Sequence, residues 1–398
     1  VYLSMECISP RMIPNLEVND SLTTILTQMT AKEAAPPMMH DFFLASLLPA
    51  VFHSEDPNII ARIFEKISEF DVPHDSIRFS LSESHDGKSV RGSLDLLTFK
   101  ERMVLTKAVK ANGGFVKYKS VPCRKSLENE VKQFSDETGI DFSKLKASFF
   151  DEESDGNFLK LKDEIKTFED ISSNFSEMSG KILDISDFFF TRILEGRDPY
   201  ELCITTRDSL PVLEDEQLSI DRFLAFETLA FAIMGRNVKT IYFNDLLALA
   251  NDYKKAEETG ELRNIKRTKI DFDELLPKLQ DSESFEARIS QGINNLIALV
   301  DSDPALHYRG AEAELVPLSE NIPVAVIKNN CGKDSSITVV NLSSKTVNVE
   351  IPCEGMSFNN ITGKDLSNAK GFVKTELMPY ERLWLTERAV SIPEEKLV

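Results

Sequence analysis

SESHDGKSVRG, residues 82–92, contains the only His-Asp-Gly of the chain. It follows IRFSL, residues 77–81, in which Ile77, Phe79 and Leu81 alternate with polar partners as they do in a β-strand. Read locally, the motif is a polar turn, with Asp86 bonding its own backbone and Gly87 taking a positive φ. Chemistry enters only if the rest of the chain supplies a context for a carboxylate at the end of a strand.

Composition bounds that context. With 398 residues, 42% of them apolar, the chain is globular and long enough for a large domain plus a smaller one. A net charge of -19 repels nucleic acid and anionic membrane surfaces, and neither is an expected partner. Cys7, Cys123, Cys203, Cys331 and Cys353 are scattered without a CxxC pair, which fits reduced thiols and a cytoplasmic location rather than a disulfide framework or a zinc site. The apolar runs FLASLLPAVF and FLAFETLAFAIM are short and interrupted by Pro or Glu, so neither spans a bilayer. The chain opens on VYLSMEC, a strand-like run already under way at its first residue, which reads as a cut edge.

Outward from the motif, strand and helix signals alternate. After a Pro-, Thr- and Ala-rich loop, MMHDFFLASLLPAVF is dense enough in apolar residues for a buried helix. NIIARIFEKISEF is an amphipathic helix with Ile59, Ile60, Ile63, Phe64 and Ile67 at helical spacing. TFKERMVLTKAVKANGG and DEQLSIDRFLAFETLAFAIMG are helices with glycine stops, and VKTIYFND is a strand. Such alternation predicts parallel βα units. From about Glu314, short alternating runs separated by turn residues predict an antiparallel all-β module. Within the βα part, between GGFVKYKS and GRDPYELC, the Ser-, Asp-, Glu-, Lys- and Phe-rich stretch 119–197 is too long for a structureless loop in a compact domain, and its phenylalanines suggest a small helical insertion; a disordered excursion is the alternative. The predicted division is 1–118, 119–197, 198–310 and 311–398.

The order of these pieces resembles the sucrose phosphorylase group of the alpha-amylase clan of glycoside hydrolases. The resemblance rests on SHDGKSVRG, LLTFKERMVLTKAVKANGGFVKYK, PYELCITTRDSL, IDRFLAFETLAFAI, IYFNDLLALANDY, EETGELRNIKRTKID and the closing MPYERLWL, in that order. It implies the C-terminal half of a (β/α)8 barrel, with catalytic groups at the C-terminal ends of strands, a helical insertion and an antiparallel β-domain at the end. On this resemblance Asp86 is the carboxylate that holds sugar hydroxyls and favours the cationic ring of the transition state, and His85 bonds the same sugar. Glu6 in MECISPR, with Pro10 and Arg11 completing the pattern, is the acid/base. The nucleophile of the family is an aspartate on the preceding strand, and only five residues precede Glu6, so the chain reads as a fragment without it.

The resemblance further matches Tyr200 to an acceptor-side tyrosine and Arg267 to an arginine that binds donor glucose; locally, each is equally a packed tyrosine or a surface arginine. Arg207, with Thr205 and Thr206, stands where relatives have aromatics, and Ile8 stands where an Asn is usual. These departures leave acceptor identity open. The implied function is a retaining α-glucoside phosphorylase or glucosyltransferase, with an α-glucoside and inorganic phosphate as substrates and Arg207 or backbone amides as phosphate donors. No metal or organic cofactor is required, and a homodimer is compatible with the sequence. A hydrolase or transglucosylase, and a degenerate sugar-binding barrel, are the alternatives.

Overall fold

The computed structural model describes residues 15–31, 38–73, 76–120, 197–307, 310–318 and 321–393. The opening strand, Glu6 and nearly all of the expected insertion at 119–197 lie outside the described residues. One parallel sheet carries Asn15–Leu16, Met38–Asp41, Ile77–Leu81 and Val238–Thr240 in that order, with His40 opposite Phe79 and Phe79 opposite Val238. Helices Leu44–Ser54, Asn58–Ser68, Phe99–Ala111 and Glu216–Met234 lie between these strands in the chain, as βα units require.

Three expectations are corrected. MMHDFFLASLLPAVF is not one helix: Met38–Asp41 is a strand and Leu44–Ser54 a helix, and no Gly, Pro or Asn marks the change because Phe42 and Phe43 are themselves buried in the connection. The segment read as a loop before it contains helix Leu22–Met29, capped by Ser21 and burying Leu22, Ile25, Leu26 and Met29. Three threonines in that segment mask its helical spacing with β-branched side chains. Finally, Lys88–Ser89, Arg197–Cys203 and Phe115–Ser120 form an antiparallel ribbon within what reads as parallel βα sequence.

The C-terminal module is antiparallel, as its short alternating runs predict. Glu312–Leu315, Val324–Cys331, Asp334–Asn341, Arg382–Thr386, Phe358–Asn359 and Lys364–Asp365 are neighbours in one sheet, facing a smaller sheet of Val347–Pro352, Phe372–Leu377 and Asn368–Ala369. Val324 and Val326 point into the core between the two sheets, whereas Ala325 and Ile327 point into the core shared with helices Glu216–Met234 and Phe285–Ser302. Both faces being buried explains why PVAVI is a continuous apolar run. Trp384, the only tryptophan, is fully buried in the shared core, and its indole N–H donates to Asp303 Oδ2 at 2.8 Å. Among the described residues no helix is long and apolar enough to cross a membrane.

Trp384 therefore docks the module through both packing and a buried hydrogen bond. Trp384→Phe leaves Asp303 Oδ2 without its donor and should cost about 1–3 kcal/mol, measured by denaturant unfolding followed by circular dichroism. An unchanged midpoint would mean that the hydrogen bond adds nothing to docking.

Candidate active site

Strand Ile77–Leu81 delivers Ser82, Glu83, His85 and Asp86 to its carboxyl end, and the chain then turns at Gly87 into Lys88–Ser89. The ribbon strand Arg197–Cys203 pairs with that segment, Ser89 opposite Glu201, and Tyr200 O accepts from Val90 N at 3.0 Å. A short 3-10 turn, Leu262–Lys266, approaches from the other side. The stretch RNIKR, residues 263–267, covers this turn and its C-cap and places Arg263, Lys266 and Arg267 at i, i+3 and i+4, and all three reach the same neighbour.

That neighbour is the Glu83–Asp86 segment. Glu83 is buried, and its two oxygens pair with Lys266 and Lys88, whose side chains have no meaningful exposure. Burial alone would raise the Glu83 carboxyl, but the two ammonium groups outweigh it and hold the group below the usual carboxylate range. Thr206 Oγ1 lies 3.0 Å from Glu83 Oε2 and 2.9 Å from Asp245 Oδ2. One hydroxyl proton cannot serve both carboxylates, so one acid must carry its own. Asp245 fits that role, pushed up to about 7 by burial and then by the charge on Glu83. Behind it, Ser82 Oγ donates to Glu227 Oε2 at 3.1 Å, and burial followed by the Asp245 charge raises Glu227 well above its ordinary value.

Above this buried layer Asp86 is one-third exposed. Its Oδ1 accepts from Arg263 Nη1 at 2.9 Å and from Arg267 Nη2 at 3.2 Å, while no hydrogen bond reaches Oδ2 among the described residues. Each arginine has its own anchor. Arg263 is held by Glu201 through Nε at 2.7 Å and Nη2 at 2.5 Å, and Arg267 Nε donates to His85 O at 2.8 Å. His85 Nε2 lies 3.8 Å from the same Asp86 Oδ1, and the His85 side chain is mostly exposed.

The structure thus brings together His85, Asp86 and Arg267. Tyr200 is the extra residue where the pairing of Arg197–Cys203 with Phe115–Ser120 shifts register between Glu201 and Pro199. Arg207 makes its contacts elsewhere. Arg207 lies 4.3 Å over the Phe285 ring and donates to Ala248 O at 3.4 Å. Sequence reasoning missed Glu83, Lys88, Glu201, Thr206, Asp245, Arg263 and Lys266. The signal that would have found several of them is the cation spacing of RNIKR beside the acid spacing of Glu83 and Asp86.

The turn itself differs from its local reading. The Asp86 carboxylate bonds arginines rather than its own backbone, and Ser84 Oγ accepts from Asp86 N at 3.2 Å instead. Gly87 does not have a positive φ. It is glycine for space: a Cβ there would lie 2.3 Å from Glu201 Cγ.

No family model matches the chain. It is 28% identical over 196 residues to the glucosylglycerate phosphorylase of Allomeiothermus silvanus, covering 48% of this chain and 32% of that protein. It is 25% identical over 150 residues to the glucosylglycerate phosphorylase of Spirochaeta thermophila, covering 37% and 25%. The matches therefore span about a third and a quarter of the length of these relatives. Among solved structures, sucrose 6F-phosphate phosphorylase from Thermoanaerobacter thermosaccharolyticum superposes with a TM-score of 0.55 at 13% identity, over 95% of this chain and 54% of that one. AmyP in complex with maltotriose gives 0.50 at 12% identity, over 95% and 56%.

The mixed α/β body with its antiparallel C-terminal module is the fold that these solved structures, a sucrose 6F-phosphate phosphorylase and AmyP, share with the chain. In sequence the chain is similar to glycoside phosphorylases, the two curated relatives it matches.

Two outcomes follow from the buried layer and the turn. Because Asp245 titrates near 7 in the folded protein and near 3.9 unfolded, the fold binds the extra proton between those values, and the associated stability is lost as pH rises through about 7. Denaturant midpoints should fall from about pH 5 to about pH 8, and Asp245→Asn should flatten that slope; an unchanged slope would remove Asp245 from the linkage. Gly87→Ala should cost about 1–3 kcal/mol by thermal unfolding, because the Glu201 carboxylate it would displace is pinned by Arg263. A fully stable Gly87→Ala protein would mean that Glu201 has room to move.

Proposed function

We propose that this chain forms part of a retaining α-glucoside phosphorylase, or a closely related glucosyltransferase, of carbohydrate metabolism in the cytoplasm. The observation that carries the reading is Asp86 at the carboxyl end of a parallel strand, with Oδ1 fixed by two anchored arginines and 3.8 Å from His85 Nε2, and with Oδ2 accepting no hydrogen bond among the described residues. A carboxylate held in that way is preorganised to accept sugar hydroxyls and to stabilise positive charge on the ring as the glycosidic bond breaks. The parallel sheet is read as part of a (β/α)8 barrel, which places such groups at the C-terminal ends of strands.

In this mechanism Glu6 protonates the leaving group while an aspartate nucleophile, expected on the strand before Glu6, takes the glucosyl group. Phosphate then attacks the anomeric carbon with Glu6 as base, releasing glucose 1-phosphate and restoring both carboxyls. Retention requires the nucleophile and Glu6 to stand about 5 Å apart. Tyr200 belongs on the acceptor side, Arg267 on the donor-glucose side, and Arg207 or backbone amides supply donors to phosphate. No metal or organic cofactor takes part. The relatives named as phosphorylases support phosphate over water as acceptor.

A second reading, a sugar-binding barrel without turnover, is favoured by one feature: the two arginines already balance Asp86. The intact protein decides between them. Phosphate-dependent release of glucose 1-phosphate from an α-glucoside is expected; glucose release independent of phosphate would make it a hydrolase, and binding without either product a degenerate barrel. Asp86→Asn should lower kcat by about 100- to 1000-fold while changing stability by no more than about 1 kcal/mol, since the ion pairs are partly exposed. Near-wild-type kcat in that variant would remove Asp86 from the chemistry.

A further inference from the structure

We infer that Glu201 is a positioning residue for Asp86, acting through Arg263. This rests on the phosphorylase reading and adds to it the group that decides how Arg263 meets the stabilising carboxylate. Glu201 is nearly inaccessible, at 3% side-chain exposure, and is fixed by its strand opposite Ser89, three residues beyond Asp86. Its two oxygens take Nε and Nη2 of Arg263 in a fork-to-fork pair, so that Nη1 is the donor left for Asp86.

Lys117 Nζ at 3.4 Å and the Cys203 thiol at 3.5 Å complete the surroundings of the Glu201 carboxylate. The missing Cβ of Gly87 makes room for its side chain next to Asp86. Without Glu201 the guanidinium would be free to turn two donors onto Asp86 and occupy the oxygen that the sugar needs. Arg267 cannot substitute, because its own anchor is His85 O. Glu201 thus keeps Asp86 held on one side and open on the other.

Initial rates of the intact protein on α-glucosyl fluoride, with and without phosphate, test this. Glu201→Gln keeps the shape but weakens the fork, and should lower kcat about 10- to 100-fold with KM within about threefold. Arg263→Lys keeps the cation but lacks the fork, and should do the same; the double variant should be no slower than the slower single one, because the two residues act as a unit. Wild-type kcat in Glu201→Gln, or losses that multiply in the double variant, would overturn the inference. Should Glu201→Gln fail to fold, Arg263→Lys alone decides, and an unchanged kcat overturns it. A wild-type protein that does not turn over glucosyl fluoride under either condition would instead remove the phosphorylase reading and this inference with it.

Discussion

The site depends on one long-range pairing of charges. Glu83 and Asp86, three residues apart after a strand, meet Arg263, Lys266 and Arg267 on a single turn about 180 residues further along the chain. Taking these groups out of water costs several kcal/mol per ion, and the cost is offset only because nearly every donor and acceptor has a partner. The lower half of the pairing, Glu83 with Lys88 and Lys266, is dry and fixes the backbone. The upper half, Asp86 with the two arginines, is partly open and faces outward. A rigid buried layer beneath an accessible one is the arrangement that a preorganised carboxylate needs.

The pairing also reconciles an acidic protein with the anionic co-substrate proposed for it. The net charge of -19 is spread over the whole chain, whereas the turn Leu262–Lys266 and its C-cap concentrate three cations within five residues. In the buried layer, Asp245 and Glu227 are raised toward their neutral forms, so the charged members are Glu83 and two lysines. The local balance at the strand end is therefore opposite in sign to the global one, and an anion approaching the site meets local donors rather than the mean field.

Much of the scaffold was legible in the sequence because its signals are local. Helix Phe99–Ala111 announces itself with the Thr98/Glu101 capping box, and Glu216–Met234 with Asp215 at its start and Gly235 at its end. The C-terminal module is legible in its short alternating runs, and PVAVI departs from alternation because both faces of its strand are buried. Helix Leu22–Met29 and the ribbon strand Arg197–Cys203 were not legible, since threonines obscure the one and a partner distant in sequence makes the other. His85 and Asp86 were found through their motif and Arg267 through its place in the resemblance. Glu83, Glu201 and Lys266 were not, because a carboxylate on a strand and a lysine on a turn carry no sign of a partner more than a hundred residues away. Gly87 shows the same limit: its need for space comes from Glu201, which no local pattern contains.

The most direct test is a crystal structure of the intact protein with a non-hydrolysable thio-α-glucoside. A sugar hydroxyl should lie about 2.7–3.0 Å from Asp86 Oδ2, with Arg263 and Arg267 still on Oδ1. A ligand that does not touch His85 or Asp86, or arginines withdrawn from Asp86, would contradict the view that this charge pairing builds the sugar site.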